Sequence, residues 1–173
     1  MGKQAFIQTK RIRYDAIPLE YAHPGDSGMD VFACALKRIN KEGKLSEEIG
    51  YSWIIQPGET VLVCTGWAAS IPEGTELQVR LNSGNGLKTK MRIPNAPGTI
   101  DSGYRGEIGV ILENTGHESF VLRKNAKVAQ LVLCPVYKAI VREVEELDET
   151  VREAAGYGST GVMNEKKNYP SIH

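Results

Sequence analysis

Residues 60–81, TVLVCTGWAASIPEGTELQVRL, decide the fold class of this chain. Their apolar runs are short, rich in Val and Leu, and flank the turn signal IPEG. Glycine and proline recur every dozen residues or so in both directions, and the segments between them are again short and rich in Val, Ile and Leu. Short apolar segments separated by regularly spaced turn residues are typical of an all-β sandwich or barrel. We therefore expect an all-β domain.

Strand-like segments lie inside that stretch and on both sides of it. They are separated by signals such as HPGDSG, QPGE, NSGNG, NAPG and DSGYRG, whose Gly, Pro, Asn, Asp and Ser residues favour tight turns. The predicted strand segments are Met29 to Leu36, Trp53 to Ile55, Thr60 to Thr65, Glu76 to Leu81, Gly109 to Glu113, Phe120 to Leu122 and Val128 to Val136.

Three segments depart from this pattern. Residues 36–51 are polar and charged around a central glycine, which predicts a long hairpin or an inserted surface loop. In residues 141–151 apolar side chains recur at three- and four-residue intervals, so a short helix and a strand that runs into an acidic linker are both open. The chain beyond is rich in glycine and small polar residues, as in a terminal tail. We expect a domain over residues 1–148 and a flexible arm over residues 149–173.

Charge and composition exclude several classes of protein. The 173 residues carry 21 Lys and Arg against 21 Asp and Glu, so the net charge at pH 7 is zero. A domain that mainly neutralises a nucleic-acid backbone carries a basic excess, so stable nucleic-acid binding is not expected. The N-terminus lacks the apolar stretch of a secretory signal, and no run approaches the roughly 20 apolar residues of a membrane span. We expect a cytoplasmic protein, or one in the host cytoplasm if a phage encodes it.

Cysteine and histidine give no sign of metal or nucleophile chemistry. Cys34, Cys64 and Cys134 lie far apart in apolar segments without a CxxC pair, which predicts buried free thiols. P-loop and Rossmann fingerprints are absent. The isolated histidines, predicted to lie on the surface, are His23, His117 and His173.

Five clusters, most of them rich in glycine, remain as candidates for binding an anionic ligand. They are PGDSGMDV (24–31), VRLNSGNGLK (79–88), NAPGTIDSGYRGEIGV (95–110), NAKVAQLVL (125–133) and REAAGYGSTG (152–161). Glycine lets backbone amides approach an anion, and Ser, Thr and Arg complete the donor set. Each cluster alone is weak, because turns between strands need glycine anyway. Their joint content and order carry the information.

In that content and order the chain resembles the trimeric deoxyuridine triphosphatases (dUTPases), some phage members included, over about residues 20–162. The most specific matches are the third motif, GTIDSGYRGEI, and the fifth, whose pattern is R-x-x-x-G-Y-G-S-T-G. The resemblance implies a distorted jelly-roll β-barrel or sandwich with a flexible C-terminal arm. It also implies a homotrimer with sites shared between subunits, and Mg²⁺-assisted hydrolysis of dUTP to dUMP and pyrophosphate by in-line attack of water on the α-phosphorus.

The resemblance assigns roles to residues of the third motif. Asp101 would be the catalytic carboxylate, which orients and helps to deprotonate the attacking water and contacts the sugar 3′-hydroxyl. Tyr104 would lie beneath the deoxyribose and leave no space for a 2′-hydroxyl. The backbone of Thr99 and Ile100, with Asn95 nearby, would pair with the uracil edge and reject cytosine and a 5-methyl group.

The first, fourth and fifth motifs would hold the phosphates. The resemblance places Gln130 on the phosphates and the attacking water, Arg152 on the γ-phosphate, and Tyr157 in a stack over the uracil. Further phosphate contacts of the arm would come from Gly158, Ser159 and Thr160. Asp30 would act through water on Mg²⁺, which the triphosphate mainly holds, or by orienting a cationic side chain.

The second motif departs from the family pattern, because Asn82 stands where the family has arginine. Ser83 and Gly84 remain for phosphate contact. Asparagine carries no charge and cannot form the bidentate phosphate contact of arginine, a loss worth on the order of a hundredfold or more in rate. We expect an active but slowed enzyme. On a strand Arg80 would project from the same face as Asn82, and Lys88 lies where the family often keeps a lysine, so both are expected to compensate in part.

Two alternative functions follow from the same residues. A dCTP deaminase shares the fold but needs a glutamate as general acid and base at the position of Ile111, and Glu107 and Glu113 lie out of register with it. A nucleotide-binding module without turnover, which engages a regulatory protein as some phage members do, is favoured slightly by Asn82 and by residues 36–51.

Overall fold

The computed structural model describes residues 5–151 and residue 154. Within these residues it contains thirteen strands and one short helix. The elements are β1 (Gln8–Arg11), β2 (Met29–Phe32), β3 (Ala35–Ile39), β4 (Leu45–Glu48), β5 (Ser52–Ile55), β6 (Thr60–Cys64), β7 (Trp67–Ser70), β8 (Thr75–Arg80), α1 (Ser83–Lys88), β9 (Met91–Arg92), β10 (Gly98–Asp101), β11 (Gly109–Asn114), β12 (Phe120–Arg123) and β13 (Lys127–Pro135).

The strands pair antiparallel in two main sheets and two ribbons. One main sheet has the strand order β10-β8-β13-β2, and the other has the order β4-β3-β6-β11-β9. The ribbons are β1-β7 and β12-β5. This arrangement confirms the predicted all-β class, including a strand within or overlapping each segment that the sequence assigned to one.

One hydrophobic core holds the inward faces of both main sheets. Alternation along each strand decides which side chains enter it: β10 buries Gly98 and Ile100 and exposes Thr99 and Asp101. The core members that the sheets bury most completely include Val31, Leu36, Val63, Leu77, Val110 and Leu131. The outer face of the β10-β8-β13-β2 sheet is therefore free to carry polar side chains.

Residues 36–51 form a hairpin, the first of the two structures predicted for them. Strands β3 and β4 pair from Leu36 with Glu48 to Ile39 with Leu45. The side chain of Asn40 closes the turn by accepting hydrogen bonds from the amides of Glu42 and Lys44, at 3.0 and 2.9 Å. The polar sequence thus belongs to a paired extension of the second sheet.

Residues 141–151 contain neither helix nor strand, so both structures predicted for this segment are wrong. The apolar side chains that suggested a helix, among them Val141, Leu147 and Val151, are exposed. A helix this short is not stable in water unless a buried apolar face supports it. The first compact unit of the chain ends at Lys138, and the predicted boundary between residues 148 and 149 stays a prediction.

Two of the three cysteines, Cys34 and Cys64, are buried free thiols as predicted, and burial raises the pKa of each to about 11. Cys134 is free but only half-buried, because it lies on the outer face of β13. His23 and His117 are exposed as predicted, and His173 lies outside the described residues. In the part of the chain that the structure describes, no helix has the length and apolar character needed to cross a membrane.

Candidate active site

A cavity of about 270 Å³ opens beside β10. Its lining includes all five residues predicted from the third motif: Asn95, Thr99, Ile100, Asp101 and Tyr104. They come together because they are close in sequence and occupy one strand with the turns at its two ends. The apolar part of the lining comes mainly from Leu62, Val79, Ile108 and Ile111.

Strand β10 offers both a carboxylate and an unpaired backbone edge to this cavity. Among the described strands it lies at the edge of its sheet, paired only with β8. Backbone groups on the outer side of an edge strand are free to pair with a ligand. The carboxylate of Asp101 is exposed at the end of the strand and has no side-chain partner among the described residues.

The ring of Tyr104 folds back over the turn that follows Asp101. The Tyr104 amide donates to the Asp101 carbonyl at 3.0 Å, and the Tyr104 hydroxyl donates to the carbonyl of Glu107 at 3.1 Å. Gly106 makes this fold-back possible, because a methyl group at that position would overlap the end of the tyrosine ring. The ring is 46% exposed and lines the cavity.

Glu107 is a site residue that the sequence analysis did not assign. Its carboxylate accepts from Arg13 Nε and Nη2 at 2.6 and 2.9 Å and from the Gly66 amide at 2.9 Å. Arg13 also donates to both oxygens of Glu47, at 2.7 and 2.8 Å. The hydrogen bonds to Glu47 and Glu107 raise the pKa of the Arg13 guanidinium above its ordinary value, and Arg13 lowers the pKa of the Glu47 carboxyl.

A second group of predicted residues lies on strands β13 and β2 of the same sheet, on the opposite side of β8 from β10. Asp30 on β2 forms an ion pair with Lys127 on β13, with 2.5 Å between Oδ2 and Nζ. The backbone carbonyl of Lys127 accepts from Asn85 Nδ2 at 2.8 Å, which ties the start of β13 to helix α1. Lys127 lies within the fourth cluster, but the sequence analysis did not single it out.

Gln130 joins this second group. It pairs in register with Asp30 on one side and with Arg80 on the other, so all three side chains project from the outer face of the sheet. Gly28 leaves room for the Gln130 amide, since an added Cβ at Gly28 would lie 2.5 Å from Gln130 Oε1. The first, second and fourth motifs are thus neighbours in this chain.

The predicted placement of Asn82 beside Arg80 on one strand is wrong. Strand β8 ends at Arg80, and Asn82 is the N-cap of α1, where its side chain accepts from the Asn85 amide at 3.1 Å. Arg80 donates instead to Gln78 Oε1, with Nε at 3.0 Å and Nη2 at 2.5 Å. Asparagine is among the best N-cap residues, and its competition with the strand ladder explains why β8 stops.

The two groups do not meet within one chain. Asp101 pairs with Glu76 on β8, whereas Gln130 pairs with Arg80 four residues further along the same strand. Strands β10 and β13 also lie on opposite sides of β8. At the usual strand dimensions this places the two residues roughly 16 Å apart, too far to contact one phosphate together.

Five predicted residues of the arm lie outside the described residues: Arg152, Tyr157, Gly158, Ser159 and Thr160. Ser83 and Gly84 are exposed in the first turn of α1, and Lys88 is exposed in its last turn. Nothing within 4 Å would meet a Cβ added at Gly84, so this turn is open to a ligand.

Among the residues that the structure describes, Asp30 is not part of a group of side chains that could hold a metal ion. Its carboxylate orients the Lys127 ammonium, the second of the two arrangements expected for it. Within residues 5–151, no group of three or more His, Cys, Asp or Glu side chains could hold a metal ion. The Asp30 carboxylate is an oxygen ligand of the type that Mg²⁺ accepts, directly or through water.

Ile111 lines the cavity where a deaminase would need a carboxylic acid. The nearby Glu107 carboxylate also lines the cavity, but its ion pair with Arg13 and its bond from Gly66 occupy it. An acid that shuttles protons must be free to exchange them with the substrate. The cavity therefore does not favour deamination.

Comparisons with known proteins agree with this geometry. A sequence profile of the dUTPase family matches residues 48–161. The deoxyuridine 5′-triphosphate nucleotidohydrolase of Alkaliphilus metalliredigens is 47% identical over 156 residues, which cover 90% of this chain and 97% of that protein. The protein of the same name from Clostridium tetani is 41% identical over 155 residues, which cover 90% of this chain and 96% of that protein.

Solved phage dUTPase structures share the fold. A mutant of the Staphylococcus bacteriophage 80alpha dUTPase, solved with dUpNHpp, matches with a TM-score of 0.75 and 25% identity, covering 91% of this chain and 99% of that chain. A mutant dUTPase from phage phi11 of S. aureus, described with a structural Mg(II) ion, matches with a TM-score of 0.68 and 23% identity, covering 83% of this chain and 99% of that chain. The likeness confirms the predicted jelly roll. With the family profile and the two sequence relatives, it establishes that the chain belongs to the dUTPase family.

Proposed function

We propose that this chain hydrolyses dUTP to dUMP and pyrophosphate. The observation that carries the proposal is the β10 cavity, in which an exposed carboxylate, a free backbone edge and a folded-back tyrosine ring lie together in a member of the dUTPase family. The two bacterial relatives bear the name of the same activity. Such hydrolysis keeps uracil out of DNA and supplies dUMP for dTMP synthesis.

In this proposal Asp101 is the catalytic carboxylate. It accepts a hydrogen bond from the attacking water and takes its proton as the water adds to the α-phosphorus. Pyrophosphate leaves from the opposite side of that phosphorus. The exposed, unpaired position of Asp101 at the end of β10 supports the role, because a general base must reach the water in a productive pose.

The rest of the cavity selects the nucleoside. The free edge of β10 at Thr99 and Ile100, with Asn95 beside it, pairs with the uracil edge, and a backbone edge accepts only a base with the matching donors and acceptors. Tyr104 lies beneath the deoxyribose, where its ring occupies the space of a 2′-hydroxyl. The apolar wall of the cavity supports the base plane.

The phosphates bind to the group formed by the first, second and fourth motifs. Gln130, Ser83 and Gly84 contribute polar contacts, and Asp30 holds the Lys127 ammonium beside them. We infer that Lys127 supplies a cationic charge where Asn82 replaces the family arginine. Helix α1 is too short to count as a dipole donor in its own right.

One site then needs more than one chain. The separation between Asp101 and Gln130 supports a homotrimer in which the third motif of one subunit faces the second and fourth motifs of its neighbour. The arm residues Arg152 and Tyr157, which complete the site in this proposal, stay a prediction. So do a regulatory protein partner and a cytoplasmic location.

Magnesium enters as part of the substrate. When bound to the triphosphate, Mg²⁺ neutralises charge that develops on the phosphate oxygens. The protein residues orient the nucleotide and the water around it, and positioning of this kind accounts for much of the catalysis in phosphoryl transfer.

Release of pyrophosphate from dUTP with Mg²⁺ tests the proposed function. The wild-type protein is expected to release pyrophosphate from dUTP far faster than from dCTP, dTTP or UTP. Asp101→Asn is expected to lower kcat by about a hundredfold or more while titration calorimetry still detects dUpNHpp binding. Glu73→Gln, which changes an exposed carboxylate that does not line the cavity, is the control. A wild-type protein that releases no pyrophosphate, or releases ammonia from dCTP, overturns the proposal.

A further inference from the structure

Arg13 lies at the centre of an ion-pair network that joins three distant parts of the chain. Its guanidinium forms two bonds to the Glu107 carboxylate and two to the Glu47 carboxylate on the β3-β4 hairpin. The side chains of Arg13, Glu107 and Glu47 are only 19, 15 and 31% exposed. A forked, partly buried contact of this kind fixes the direction of each carboxylate as well as its distance.

Gly66 closes the same network through the backbone. Its amide donates to Glu107 Oε1 at 2.9 Å, and its carbonyl accepts from the Ile12 and Arg13 amides at 2.7 and 3.3 Å. Gly66 has a positive φ of 79°, which glycine adopts without strain, and an added Cβ would overlap Ala16. The Glu107 carboxylate is therefore held from two directions.

The backbone of Glu107 is also the anchor of Tyr104. Its carbonyl accepts the Tyr104 hydroxyl at 3.1 Å, and the next amide, that of Ile108, donates to the Trp67 carbonyl at 2.7 Å. Within residues 102–106 the other side-chain hydrogen bonds stay inside the loop, from Arg105 to the carbonyls of Ser102 and Tyr104. The position of the tyrosine ring thus depends on where the backbone at residue 107 is held.

We propose that Arg13 is a positioning residue for sugar selection: by fixing Glu107 it fixes the ring of Tyr104 that excludes a 2′-hydroxyl. The proposal rests on the proposed function, in which Tyr104 lies beneath the deoxyribose. Glu47 links the β3-β4 hairpin to this arrangement, because its carboxylate binds the other side of the Arg13 guanidinium. Arg13 itself does not line the cavity and touches no substrate in this scheme.

The test compares selectivity in the full-length protein. Arg13→Gln is expected to lower the ratio of kcat/KM for dUTP to kcat/KM for UTP by about tenfold, since a shifted ring no longer fills the space of the 2′-hydroxyl. Most of the change should lie in a lower KM for UTP and a higher KM for dUTP, with kcat for dUTP reduced less. Arg13→Lys, which keeps the charge but not the fork, is expected to restore part of the ratio.

Arg38→Gln is the matched control. Arg38 lies on the same hairpin, is 23% exposed, and binds Glu48, Glu59 and the Ile54 carbonyl, but it does not contact Glu107. Both glutamine variants are expected to lower Tm to a similar extent. Only Arg13→Gln is expected to change the selectivity ratio and to speed hydrogen exchange in residues 102–108.

Tyr104→Phe completes the test, because it removes the hydroxyl that reaches Glu107 and keeps the ring. If Arg13 acts through Tyr104, the effects of Arg13→Gln and Tyr104→Phe on the ratio are not additive in the double variant. A folded Arg13→Gln protein with wild-type selectivity and wild-type exchange overturns the positioning role, and so does full additivity. Failure of the wild-type protein to hydrolyse dUTP instead overturns the proposed function; the exchange comparison then decides separately whether Arg13 holds the loop.

Discussion

Gly106 provides the space into which the hydroxyl end of Tyr104 folds. A methyl group at Gly106 would overlap the tyrosine hydroxyl and ring, and both residues lie in the turn that leads from β10 to β11. The tyrosine hydroxyl reaches past this gap to the Glu107 carbonyl. The lack of a side chain at Gly106 therefore determines the position of the Tyr104 ring in the cavity.

Gly106→Ala is expected to displace the Tyr104 ring and lower kcat/KM for dUTP by about tenfold or more, because small displacements of a positioning group are costly in catalysis. Steady-state kinetics measures this directly. Gly103→Ala is the control, since a Cβ there would meet nothing within 4 Å. Equal effects of the two variants would contradict the importance of the space at Gly106.

Lys127→Gln is expected to weaken dUpNHpp binding, because it removes the cation that Asp30 holds beside Gln130. The loss of a charge-assisted phosphate contact is expected to reduce affinity by about tenfold. Asn82→Arg in the same background is expected to restore binding, since arginine returns the missing charge.

Lys124→Gln is the matched control for Lys127→Gln, because Lys124 also pairs with an aspartate, Asp15, but on another part of the surface. Titration calorimetry measures all four proteins. If Lys127→Gln binds like the wild type, or if Asn82→Arg has no effect in its background, the charge does not come from Lys127.

Asn82→Ala is expected to lower the free energy of unfolding by about 1 kcal/mol, because it removes the N-cap of α1. Denaturant unfolding measures the change. Asn82→Asp keeps an oxygen that accepts from the Asn85 amide and is expected to be close to wild type in stability. A wild-type midpoint for Asn82→Ala would show that the cap contributes nothing.

Glu47 is expected to stabilise the fold less in acid. Its hydrogen bond with Arg13 holds its pKa in the folded state below the ordinary value of 4.5. The ionised carboxylate therefore contributes stability above that value, and the contribution disappears as the pH falls through the lowered pKa. The Tm difference between wild type and Glu47→Gln should be largest near neutral pH and should shrink below pH 4.5.

Glu42→Gln provides the comparison for Glu47→Gln on the same hairpin. Glu42 is 74% exposed and pairs loosely with Lys44 at 3.7 Å, so its replacement is expected to change Tm little at any pH. A constant Tm difference for Glu47→Gln from neutral to acid pH would contradict the prediction.

The third-motif side of the site was predictable because it is local. Residues 95–104 form one strand and its flanking turns, so Asp101 and Tyr104 reach the same cavity wherever β10 lies in the fold. The capping role of Asn82 also had a local signal, since asparagine ahead of a short Ser-Gly stretch is a typical N-cap. The prediction that Asn82 lies on a strand with Arg80 did not use this capping signal.

The contacts of Glu107 were not predictable in this way. Arg13 is separated from Glu107 by 94 residues, and neither residue lies in a pattern that names its partner. The helix suggested in residues 141–151 failed for a related reason, because periodicity stabilises a helix only where its apolar face is buried.

The sequence by itself determined the all-β class, seven of the strand segments and the family, because alternation, turn residues and ordered motifs are properties of neighbouring positions. Only the tertiary structure decided that Arg13 and Gly66 hold Glu107, that Lys127 pairs with Asp30, and that Asp101 lies far from Gln130. These relationships depend on strand order and register, which bring distant residues together or keep them apart and which no local pattern encodes.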